Sequence, residues 1–425
     1  MNRSLLAYQG SSVLSDLGNS LTAVVLPLLV LQTTGSVLSA GWLALATGLP
    51  QFLAAVSGGV ALDRLNRRTV AIAGDLASAA SIAGLALVHA TQGLNLHWFI
   101  IFGCLSAVGD MPAMTARAAM APSLAEATRM PIERIIAIRS GLSSAAIMAG
   151  PMLGAALIGW GAQNVALWIT ATTSTLAACA GFALPASVGM VSDADHPAEA
   201  VRRSWRPLRE FAAGVRHLAV DLPLVRLVTL VGVVLACAIG IVQGLALPYL
   251  LLLTGHPGRT GITLACLALG VAVGAGCYAG AHRRLRPRAF AAIGGAAAAA
   301  GLWLLATLPV FGLLLAAMAV IGAGMGLLSS VDATVSVTSP DPELRGRVLG
   351  NQNALTLGLA PFATLGAALG IEQLGLGNML AALAAIVTAA IAFMAASRSW
   401  RLAPSVAESE DTPGGQDIVS ATGAK

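Results

Sequence analysis

Apolar residues in this chain fall into long, unbroken runs. They follow neither the three-four spacing of a surface helix nor the alternation of a half-buried strand. Runs over 5–31, 37–62, 70–90, 96–118, 135–160 and 164–184 precede a polar stretch at 185–221. Six more follow, over 224–253, 261–281, 289–308, 311–332, 348–371 and 376–397. Each comes close to the roughly 20 residues a helix needs to cross a hydrocarbon core. Continuous runs of this kind satisfy their backbone groups as helices; a membrane barrel would show short alternating segments instead. The pattern predicts an all-α polytopic membrane protein with twelve transmembrane helices. It divides into a six-helix half over 1–184, a linker over 185–222 with an amphipathic helix near 205–218, a second six-helix half over 223–400, and a polar tail over 401–425 expected to lack fixed structure.

Composition agrees. Hydrophobic residues make up 57% and charged residues 10%, and mean hydropathy is +0.81, values that exclude an ordinary soluble domain of this length. The few charges carry orientation. Arg64, Arg67 and Arg68 lie in the second connection, Arg129 and Arg134 in the fourth, an Arg cluster at 202–216 in the sixth, Arg283 to Arg288 in the eighth, and Arg345 and Arg347 in the tenth, whereas the odd-numbered connections hold only Arg259. Basic loops stay cytoplasmic, so both termini are expected there, with the protein in the plasma (inner) membrane. The net charge of +5 is then a topology signal; no soluble basic face exists for nucleic acid. The first apolar run is too long for a cleaved signal segment and is expected to stay. The five cysteines fall inside apolar runs without paired spacing, and no nucleophile-base pair, phosphate loop or metal-ligand spacing occurs. Neither an enzyme nor a cofactor or metal site is expected.

The two halves resemble each other in order. Pro27, Gly59 and Gly74 fall on Pro248, Gly280 and Gly295 at one offset, and Pro151 matches Pro361 in the fifth span of each half. Two six-span halves related by an axis along the membrane normal are the plan of a secondary transporter, with its site between the halves.

Residues 59–68 concentrate charge between the second and third spans: Gly59, Asp63, Arg64, Asn66, Arg67 and Arg68. This segment resembles the signature of the major facilitator superfamily, with Asn66 where that family usually has Gly. Asn also tolerates left-handed backbone, which would explain the exchange. Gly150, Pro151 and Gly154 in the fifth span resemble the motif of facilitators that export their substrates. Small residues there allow close helix packing, and Pro permits a bend. With Pro50, Asp75 and the 340–347 segment, the chain is similar to the branch of macrolide and siderophore exporters. The resemblance implies a small-molecule cargo, protons as coupling ion, and a monomer in the bilayer. It also places Asp63 against the start of the eleventh span as a gating latch, the alternative being a pure topology signal.

Among single residues, Asp16 lies inside the first span, where an ionised carboxylate costs roughly 2.5 to 3.5 kcal/mol on insertion scales. It must face the bundle interior. With Asn19 one turn on, it is either a proton-coupling or cation site or an interhelical hydrogen bond. The resemblance pairs Asp110 of the fourth span with Arg67 or with Arg139 of the fifth, as a charge relay, against direct proton binding. Asp332 is placed at the headgroup boundary, and Arg139 has the simpler reading of snorkelling to the interface. Gln243, Asn353 and Trp42 are further candidates for a cavity wall. Aromatic residues make up only 4%, so a cavity would be mainly aliphatic and would suit a bulky apolar or amphipathic molecule. The expectation is proton-coupled efflux by alternating access. Uptake, lysolipid flipping on the same scaffold, and a non-transporting receptor are the alternatives.

Overall fold

The structure, a computed structural model, describes residues 3–62, 65–190, 216, 222–281, 285–340 and 345–397, with backbone alone at 55–62, 133, 337 and 345–347. Among the described residues, twelve helices are long and apolar enough to cross a membrane. In order the spans are Arg3–Thr34, Val37–Leu62, Arg67–Thr91, Leu96–Ala119, Ile132–Gly159 and Gln163–Phe182. The seventh begins as Pro223–Ile241 and ends as Leu247–Leu253, and it is followed by Thr260–Ala281, Pro287–Ala306, Phe311–Thr338, Arg345–Leu374 and Leu376–Ala396. Asp63, Arg64, the 205–218 helix apart from Arg216, and the 401–425 tail lie outside the described residues.

Pairing within the halves repeats. The first span packs on the fourth, fifth and sixth, the third on the fourth and sixth, and the second on the fourth. Each pair has its counterpart six spans later. The most extensive seams between the halves are the second span on the eleventh and the fifth on the eighth, which the same six-span shift exchanges, and the first span also touches the seventh. Small residues make these seams close. Gly48 abuts the Pro361 ring, and Gly159 meets the backbone of Gly258. Both contacts lie in the middle of the bundle or at the end away from the 65–66 connection. Toward that connection, open space surrounds Gly141 of the fifth span and Gly276 of the eighth, and Ile136 and Leu142 are exposed.

Three details depart from the sequence reading. The seventh span holds a π-helical turn, Val242–Ala246, just before Pro248. Proline removes one backbone donor and crowds the preceding turn, and a wider turn accommodates it. A short helix, Ala121–Thr128, carries the chain on past the fourth span. It places Leu124 in a separate apolar cluster with Leu5, Tyr8 and Ile135. The tenth span continues to Thr338, so Asp332 stands inside the helix and not at its boundary.

Candidate functional site

The basic pair of the signature ties helix ends together. Arg67 donates from Nη1 to the Ala119 carbonyl at the end of the fourth span, 3.1 Å away. Arg68 donates to Gly181 and Phe182 carbonyls at the end of the sixth, at 3.1 and 2.8 Å. Terminal carbonyls lack helical partners and carry partial negative charge, so a guanidinium there is favoured. Asn66 is not left-handed. Its φ of −60° and ψ of 116° are extended, and its side chain caps the third span by accepting from the Arg68 and Thr69 backbone nitrogens. Its amide also donates to Ala186, 3.2 Å away. Asparagine therefore stands here for capping, which glycine does without a side chain and less well.

The chemistry of the first half centres on a group the sequence reading missed. Arg117 of the fourth span is 3% exposed and forms an ion pair with Asp75 of the third, itself 3% exposed; among the described residues no other ion pair occurs. Nη1 of Arg117 donates to Ser15 at 3.0 Å and Nε to Ser11 at 3.3 Å. Ser15 in turn donates to the second Asp75 oxygen at 3.0 Å. Tyr8 donates to the Arg117 carbonyl at 2.9 Å. The pair thus bridges three spans, and Ser15 completes the coordination of both ions. Such closure is what a buried pair requires, because desolvating each ion costs several kcal/mol.

Asp110 lies deeper along the same third-fourth seam. It accepts from Ser106, one turn away at 3.2 Å, and Ser106 is 2.9 Å from Ser78. The expected pairing with Arg67 or Arg139 is not formed, because Arg67 is committed to Ala119 and Arg139 sits on another seam. The carboxylate instead ends a short serine chain, one to two turns from Asp75.

Asp16 and Arg139 both lie on the first-fifth seam. These two helices run parallel with a constant register: Gln9 donates to the Ile135 carbonyl, Ser143 to Asp16, and Ser20 to the Ala146 carbonyl. Arg139, one turn before Ser143, neighbours the Tyr8 hydroxyl. Asn19 is partly buried beyond Asp16. The register depends on Gly150 and Gly154: a Cβ on Gly150 would run into Ser20 and lie 3.0 Å from the Leu21 nitrogen, and one on Gly154 would lie 2.9 Å from Val25. Pro151 stands within the same helix. The export-type motif is therefore the packing face of the fifth span on the first.

The second half carries a different arrangement. Gln352 of the eleventh span donates to Thr229 of the seventh at 2.6 Å and to Ser336 of the tenth at 2.8 Å. Ser336 donates to Asp332 at 3.3 Å. Thr229, Asp332 and Gln352 border a cavity of about 330 Å³ that also reaches Asn353. Gln243 and Trp42 do not border it.

Comparisons with known proteins converge on this architecture. The model of the Major Facilitator Superfamily matches residues 10–365. A multidrug efflux pump, Tap, of Mycolicibacterium fortuitum is 28% identical over 85% of this chain and 87% of its own. Among solved structures, the nucleoside transporter NupG superposes with a TM-score of 0.73 at 14% identity, covering 94% of this chain and 100% of its own. A bacterial homologue of the lysosomal transporter Spinster, inward-facing and unoccupied, reaches 0.69 at 16% identity, covering 94% and 96%. Twelve spans, a six-span packing repeat, symmetry-exchanged seams and a family match over most of the length have one meaning: the chain is a multi-pass membrane protein and belongs to the Major Facilitator Superfamily.

Proposed function

We propose that the chain is a proton-driven exporter of bulky apolar or amphipathic small molecules, acting as a monomer by alternating access in the plasma (inner) membrane, with both termini cytoplasmic. The carrying observation is the Asp75–Arg117 pair, a buried charge held by three spans of one half. A proton added to Asp75 removes its charge and leaves Arg117 uncompensated in a low-dielectric site, a state several kcal/mol less favourable unless the helices move. Protonation therefore converts into a force on the first, third and fourth spans. Asp110 and the Ser78–Ser106 pair extend a polar track along which the proton would travel. Asp16, Asn19 and Arg139 line the neighbouring seam, where cargo or a second proton would meet the first half.

The packing supports a state open toward the 65–66 connection, since the close seam contacts lie in the middle and at the opposite end. If that connection is cytoplasmic, as its arginines favour, the state is inward-facing. Asp63 is proposed as the latch that closes this side against the start of the eleventh span. The efflux named for the Tap relative supports direction. The test is ethidium accumulation in cells expressing the chain: it should fall relative to cells without it, and the difference should vanish when the proton gradient is collapsed. Unchanged accumulation under every gradient would sink the export reading.

A further inference from the structure

The second half's cavity has a hydrogen-bond polarity that selects its ligand. Its walls are apolar, formed by Val228, Val231, Leu235, Met325, Leu328 and Met394, and its volume of about 330 Å³ falls at the lower end of the roughly 300–1,000 Å³ of small-molecule sites. Its polar atoms are not randomly oriented. Both amide hydrogens of Gln352 are committed, to Thr229 and Ser336. The Ser336 hydrogen goes to Asp332, that of Thr356 to the Gln352 carbonyl of the backbone, and that of Ser329 to the Gly326 carbonyl. These four groups turn their donors into the protein, while the Thr229 hydroxyl and the Asn353 amide can still give a hydrogen bond. The charged and carbonyl groups of the cavity offer acceptor capacity, in the Asp332 carboxylate and the Gln352 side-chain oxygen.

No cation among the described residues ion-pairs with Asp332. Its Oδ2 faces the seventh span at Gly232, where even an added Cβ would stand 4.0 Å away. This contrasts with Asp75, closed by Arg117, and with Asp16, bonded by Ser143 beside Arg139. An apolar chamber with a carboxylate, a spare carbonyl oxygen and no cation among its described lining residues complements an ammonium on a hydrophobic body. The cavity also adjoins the moving boundary: Thr356 and Asn353 lie within about a turn and a half of Gly358, which packs on Phe52 across the seam. We infer that this cavity is a binding subsite for cationic amphiphiles, protonated lipophilic amines, with Asp332 as the counter-charge and Gln352 as the second acceptor. It names a substrate class for the transport reading above and rests on that reading only for the fate of the bound molecule.

The experiment is an equilibrium titration of the purified full-length chain in detergent, with no gradient. The probes are a dansyl-labelled alkyl primary amine and its N-acetyl analogue, which keeps the body and loses the charge. The chain should bind the amine at least about tenfold more tightly, the scale of one charge-assisted hydrogen bond. Asp332→Asn should erase that preference and leave the acetyl analogue's affinity unchanged, and Glu126→Gln, at an exposed acid of the short helix Ala121–Thr128 outside the cavity lining, should keep it. Asn353→Lys, a change at an exposed wall position, should suppress amine binding too, and decides the matter if Asp332→Asn does not fold. Equal binding of both probes by the unmodified chain, a preference that survives Asp332→Asn or Asn353→Lys, or one lost in Glu126→Gln would overturn the inference. Because no transport is measured, failure of export in cells leaves this result standing. Gradient-dependent ethidium efflux without amine preference would remove the subsite alone.

Discussion

The two halves pack their helices in the same pairs yet load them with different chemistry. In the first, the third and fourth spans meet across Asp75 and Arg117. Between the ninth and tenth spans of the second half no ion pair occurs among the described residues. The ninth and tenth spans still pack closely. The ion pair is therefore not needed to build this helix pairing. Such a pair costs several kcal/mol to desolvate, and its place in one half is the basis on which coupling is proposed there. The second half has an uncapped carboxylate beside a cavity, which suits it to hold a ligand.

This contrast can be broken or sharpened by substitution. The largest effect is expected from Arg117→Met, which leaves Asp75 charged and unpaired. It should cost about 3–5 kcal/mol, and the double variant Asp75→Ala, Arg117→Met should recover most of that. Thermal unfolding of the purified protein measures both, and a double variant as unstable as the single would mean the pair is structural after all. Gly150→Leu should cost about 1–3 kcal/mol by overpacking the first-fifth seam. The matching Ala360→Leu in the second half, where a Cβ already exists, should cost less in the same assay. Gln352→Leu removes the donor shared by Thr229 and Ser336, with an expected loss of about 1–3 kcal/mol, and its effect should be additive with Arg117→Met because the networks do not touch. The smallest effect is at the connections. Asn66→Ala should lose about 1 kcal/mol of capping, while Arg286→Ala should lose almost none, since the ninth span begins at Arg286 without a side-chain cap.

Much of this was legible in the chain. Twelve uninterrupted apolar runs leave little freedom in helix number, and matched prolines expose the repeat. The motif at Gly150 and Gly154 could be read as a packing face because small residues in a membrane helix have few other uses. Arg117 escaped because it falls at the apparent end of the fourth apolar run, where a charge reads as an interface residue. Two signals point to it: the apolar residues 118–121 that continue beyond it, and Asp75 two turns inside the third span, a buried acid in need of a cation. Asn66 was identified at the right place for the wrong backbone reason, since φ is not written in composition. Asp332 was set too far out because the tenth helix runs on through Thr334 and Thr338, residues that apolar counting treats as its end. Hydrogen-bond direction, on which the second cavity depends, is a property of three spans together and has no trace in any one of them.

The central claim, that Asp75 couples proton movement to cargo movement, is tested most directly in proteoliposomes. Gradient-driven ethidium flux and gradient-free ethidium exchange are measured side by side for the unmodified chain and for Asp75→Asn. The account predicts that the variant loses the gradient-driven flux and keeps the exchange. A folded variant whose gradient-driven flux equals that of the unmodified chain would contradict it.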